Sequence, residues 1–140
     1  MTDNPFAGSW IYRSLYNDPD SKKKFNELEL GQGLLVITAV NSTTLGGTIG
    51  GNDWSLDLHG SFGYGSPAQV RFQGRGLVDG EEWIYDYIGW LVPVWPNSND
   101  TLQRASIVGS VTRTIPHSGS EPGTVNPAGV VGSFYAVRVA

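Results

Sequence analysis

An all-β fold, an antiparallel up-and-down β-barrel of about eight strands, is what three features of this 140-residue chain predict. Strand-like runs read at period 2 recur at roughly ten-residue spacing, bounded by Gly, Pro, Asn or Asp. Nineteen glycines and eight prolines are spread along the chain, which favours tight turns over long helices. No convincing long helix interrupts the series. A β-sandwich would use the same strands. Consecutive hairpins with short turns favour the barrel, as do a strand number that leaves room for one small ligand and the glycines inside strands (Gly46, Gly60, Gly74, Gly89, Gly109, Gly132), which permit the coiling that closure needs. One domain covering residues 1–140 is expected, large enough to bury a core without the disulfides or thiolate metal site that a chain lacking cysteine cannot form.

The first strand is Gly8 to Tyr16, with Trp10, Tyr12, Ser14 and Tyr16 on one face and Ile11, Arg13 and Leu15 on the other. Asn17-Asp18-Pro19-Asp20 stops it, because Asn and Asp satisfy local backbone donors and Pro cannot extend a ladder. Ser21 to Glu29 can form a helical turn, but a short strand over Phe25 to Leu30 is preferred. After the Gly31-Gln32-Gly33 turn come a β-branched strand at Leu34 to Val40 and a glycine-interrupted one at Thr43 to Ile49. Asp53 to Phe62 and Ala68 to Leu77 alternate, one face apolar and the other wet. Asp79-Gly80 is a hairpin signal, since both residues tolerate the left-handed region.

Glu81 to Asn97 is the centre of the pattern, holding three of the five tryptophans. One face reads Trp83, Tyr85, Tyr87, Gly89, Leu91, Pro93, Trp95; the other reads Ile84, Asp86, Ile88, Trp90, Val92, Val94. A strand apolar on both faces is expected to be covered on both sides, by a core and by a ligand or second subunit. The remaining strands are Ala105 to Thr114 and Gly129 to Val139, joined by the polar stretch Ile115 to Pro127, which reads as a lid over the barrel mouth or as a disordered excursion.

Charge excludes some classes of partner. The net charge is −4 and the sequence pI about 4.9, and the only basic run, Lys22-Lys23-Lys24, reads as a solvated loop. No nucleic-acid partner and no membrane surface is therefore expected. The longest apolar run falls far short of the ~20 residues that cross a bilayer. The opening MTDNPFAGSW has neither a basic n-region nor an apolar h-region, so the cytoplasm is the expected compartment; a mature exported chain would read the same way.

Gly8-Ser9-Trp10 on the first strand with Arg138 on the last resembles the calycin superfamily, and within it the avidins and streptavidins. Gly89-Trp90-Leu91-Val92-Pro93-Val94-Trp95-Pro96-Asn97 and Val131-Gly132-Ser133-Phe134-Tyr135 add to that likeness. It implies a barrel closed at its base by Arg138 stacking on Trp10, and assembly through the late strands. Two departures imply a different pocket chemistry from biotin binding. Tyr12 stands where the avidin pattern has an Asn, and Phe134 where it has an Asp.

The candidate ligand-binding residues are Tyr12, Trp83, Tyr85, Tyr87, Trp95 and Tyr135, since aromatic walls with a few oriented hydroxyls suit small, partly apolar molecules. Ordinary barrel core plus a subunit interface is the alternative for the same residues. Asp86 is the one candidate general base; the competing role is a rim carboxylate paired with Arg104 or Arg113. His59 and His117 have no carboxylate at metal-ligand spacing, and Gly46 to Gly51 lacks the Lys of a phosphate loop, so neither metal nor cofactor is expected. The leading functional expectation is a small-molecule binding protein. The alternatives are a barrel enzyme, a cyclase or isomerase using Asp86 or a Tyr, and a carbohydrate- or protein-interaction module. The two-faced late strands predict a homodimer or homotetramer.

Overall fold

The computed structural model of the chain describes residues 4–97 and 102–139. Its elements are β1 (Gly8–Tyr16), α1 (Phe25–Leu28), β2 (Glu29–Ala39), β3 (Thr44–Gly50), β4 (Ser55–Gly63), β5 (Gln69–Val78), β6 (Glu81–Val92), β7 (Ser106–Arg113), β8 (His117–Ser118), β9 (Val125–Asn126) and β10 (Val131–Arg138). Eight strands close into one antiparallel barrel in the order β1-β10-β7-β6-β5-β4-β3-β2, while β8 and β9 form a separate small hairpin. The meander follows from the turn chemistry. At the tip of the β5–β6 hairpin, Asp79 and Gly80 both have positive φ, 52° and 78°, the conformation of a two-residue turn that matches strand twist.

Alternation decides which side chains enter the lumen. Leu56, Leu58 and Phe62 of β4 are buried while Asp57, His59 and Ser61 between them are exposed. The lumen is packed by Leu35, Ile49, Leu56, Leu58, Val70 and Ile107, none more than 2 % exposed.

One end of the barrel is sealed by the segment before β1. Trp10 donates its indole N–H to the Phe6 carbonyl at 2.9 Å, and the Arg138 guanidinium lies 4.3 Å from the Trp10 ring centre. Arg138 also donates to the carbonyls of Ala7, at 3.1 Å, and Pro5. Gly8 must be glycine for this seal: its φ is +138°, and a Cβ there would sit 2.8 Å from Arg138 Nη1.

Three local expectations are corrected. Phe25 to Leu28 is a single helical turn rather than a strand; Glu27 accepts from the Lys24 backbone N–H at 3.2 Å, and Phe25 is exposed, so no burial rewards an extended pairing. β6 stops at Val92 instead of running to Trp95, because Pro93 has no N–H for the ladder. Gly31-Gln32-Gly33 lies inside β2 rather than in a turn. Ile115 to Pro127, read as a lid or a disordered excursion, carries the β8–β9 hairpin, with His117 opposite Asn126.

On the outside, the late strands carry an apolar face. Register places Trp90 beside Val108 and Val108 beside Tyr135, and a parallel row runs Val92, Ser106, Val137, Ile11. Trp90, Val92, Val108, Tyr135 and Ile11 are all exposed. Among the described residues no helix is long and apolar enough to cross a membrane.

Candidate functional site

The barrel end opposite the Trp10 seal is not filled, and a cavity of about 220 Å³ opens there. Its position follows from strand phase. Tyr12 and Ser14 are on the inward face of β1, Trp83, Tyr85 and Tyr87 on the inward face of β6, and Val111 and Arg113 on that of β7. Trp54, from the turn between β3 and β4, forms a wall with Trp83, ring centres 6.5 Å apart. Across the opening the β8–β9 hairpin lays His117 flat on Trp83, with centroids 3.9 Å apart and planes 14° from parallel.

A buried polar chain crosses the cavity. Arg113 and His117 are 3 % and 4 % exposed. Arg113 donates its Nε–H to the Tyr85 hydroxyl at 2.9 Å, and the same hydroxyl lies 2.6 Å from His117 Nε2. On the other side of the imidazole, Nδ1 is 2.9 Å from the Ser118 carbonyl, which can only accept. The proton therefore sits on Nδ1, Nε2 is the acceptor, and Tyr85 donates to it. The direction is fixed from end to end: guanidinium to phenol, phenol to imidazole, imidazole to backbone. A second Arg113 donor, Nη1, reaches the Pro127 carbonyl at 3.3 Å and ties the hairpin's exit to β7.

The ionisation states agree with this chain. Burial lowers the His117 pKa, the nearby Arg113 charge lowers it further, and the Ser118 carbonyl and Glu81 pull the other way. Burial raises the Tyr85 phenol, with Arg113 opposing. Deeper in, burial raises both Tyr12 and Tyr87. The cavity thus presents neutral phenols and a neutral imidazole around one permanent cation.

Four of the predicted ligand residues, Tyr12, Trp83, Tyr85 and Tyr87, share this cavity. Two do not. Trp95 lies past the end of β6, 76 % exposed, and Tyr135 is on the outer wall opposite Arg13 and Val108, because Phe134 takes the inward phase of β10. Trp10 and Arg138 are in contact at the sealed end. Asp86 is exposed on the outer face of β6, where it accepts from Gln73 Nε2 at 3.0 Å and Thr114 Oγ1 at 2.9 Å; neither Arg104 nor Arg113 is its partner.

Sequence reasoning missed Arg113 and His117 as site residues. Arg113 had a readable signal, since period 2 puts it in phase with Ile107 and Val111, an odd place for a charge. His117 had none, because the hairpin that positions it pairs over only two residues per strand. Compared with protein-family models, with curated proteins and with solved structures, the chain matches none.

Proposed function

We propose that this protein binds a small, partly apolar molecule in the open end of its barrel. The observation that carries the reading is the cavity itself, walled by Trp54, Trp83, Tyr12 and Tyr87 and lined by the buried polar groups of Tyr85, Arg113 and His117. At about 220 Å³ it is smaller than the ~300–1,000 Å³ of drug-sized sites, which points to a single-ring ligand. Of the acid/base groups that the barrel-enzyme alternative names, Asp86 lies on the outer surface, and only its tyrosines line the cavity.

A closed eight-stranded barrel with Arg138 over Trp10 supports the calycin likeness as a further part of the proposal. Tyr12 and Phe134 are inward in β1 and β10, so the positions where avidins carry an Asn and an Asp hold aromatic rings here, and biotin is not the proposed ligand. The exposed row of Trp90, Val108 and Tyr135 supports a homodimer or homotetramer.

Tryptophan fluorescence titrated with a panel of single-ring compounds, neutral and charged, tests the binding reading. Saturable quenching that disappears in Trp83→Phe is the expected result. A panel without one saturable response removes it. Native mass spectrometry of freshly purified protein would identify any ligand carried through purification.

A further inference from the structure

Arg113 is 3 % exposed and has no anionic partner among the described residues. A guanidinium cannot give up its proton, and burying it without an anion is costly. Yet its hydrogen-bond partners are two neutral acceptors, the Tyr85 hydroxyl at 2.9 Å and the Pro127 carbonyl at the long distance of 3.3 Å. Two of its five N–H groups are thereby used and three remain. Acidic side chains close by in sequence or register are engaged elsewhere. Glu81 accepts the Ser118 backbone N–H at 2.8 Å, and Asp86 is on the far side of the β6 wall with Gln73 and Thr114. Among the described residues only two ion pairs form, Lys23 with Asp18 and Arg75 with Glu82, both away from the cavity.

We propose that the missing anion is part of the ligand, and that the ligand is an aromatic monocarboxylate held by Arg113 through its carboxylate. This rests on the reading of the barrel mouth as a ligand site. The planar guanidinium fork matches a carboxylate in geometry as well as charge. A dianionic phosphate is a poorer fit, because a single permanent cation lines the cavity. The aromatic half of the assignment comes from the walls: Trp54, Trp83, Tyr12 and Tyr87 offer ring faces and edges for a flat body. Tyr85 and His117 act as positioning residues, holding the guanidinium by its Nε so that the Nη donors not bonded to Pro127 are left for the ligand.

The test compares phenylacetate with phenylacetamide, which has nearly the same shape and no charge, by calorimetry on the unaltered protein and on Arg113→Gln. Phenylacetate is expected to bind about tenfold or more tightly than the amide, as charge-assisted hydrogen bonds require, and Arg113→Gln is expected to bring the two within about threefold. Equal binding of acid and amide to the unaltered protein overturns the carboxylate assignment while leaving the binding reading in place. So does an acid preference that persists in a folded Arg113→Gln, since the arginine would then be a clamp on the hairpin only. Should neither compound bind, the assignment falls, and the neutral compounds of the fluorescence panel decide the binding reading separately. If Arg113→Gln does not fold, the acid-to-amide ratio of the unaltered protein decides the question alone.

Discussion

Tyr85 is the residue on which the interior of the mouth depends. It accepts from a cation and donates to an imidazole, so it can fill both roles only while His117 stays neutral on Nε2. That dependence has a sign in stability. The folded-state pKa of His117 lies below the usual imidazole value, so at pH above about 6.5 both folded and unfolded chains hold it neutral. As pH falls through that range the unfolded chain takes up the proton first, and stability is lost until the folded His117 also protonates. The charged and titratable groups that face the ring are Arg113, Tyr85 and Glu81. Urea unfolding of the protein and of His117→Gln between pH 8 and pH 5 should therefore diverge, with the histidine form losing the more stability toward acid. Parallel curves would mean that the ring is not held neutral.

Strand phase was the legible property of the elements, and its failures are informative. β4 and β5 read correctly from alternation because each has a wet outer face to set against a dry inner one. β6 and β10 are apolar on both faces, so grouping aromatics by type rather than by parity placed Tyr135 inside when Phe134 occupies that phase. The four residues of α1 and the two-residue strands β8 and β9 are too short for any period to show. Short pairing also bears on dynamics. The β8–β9 hairpin is held by the Tyr85–His117 contact, by Glu81 at Ser118 and by Arg113 at Pro127, with few backbone bonds of its own. Hydrogen exchange should find the Gly119 and Thr124 amides opening well before the β4–β5 ladder, at low local free energy. Bound phenylacetate should slow both. Equal protection of hairpin and barrel in the free protein would show that the cover is rigid.

For the molecule as a whole, the outer face of β6, β7 and β10 asks for a partner surface, and a second copy is the simplest. Light scattering at micromolar concentration should give twice or four times the chain mass, and Val108→Glu should reduce it to the monomer without loss of the β spectrum. A monomeric mass for the unaltered protein would remove the assembly proposal. The seam between β1 and β10 has a different consequence. It joins Trp10 to Arg138 across nearly the whole chain, whereas every other barrel ladder pairs strands that follow one another around the meander. Loop entropy delays such a contact until the intervening hairpins have formed, so the seam should be absent from the folding transition state. Arg138→Met, which removes the cation over Trp10 and the bonds to Ala7 and Pro5, should then speed unfolding about tenfold or more and leave refolding within about twofold. A matching fall in the refolding rate would put barrel closure ahead of the rate-limiting step. With the seam formed late, the lifetime of the folded state is governed by the residues that join the two ends of the chain.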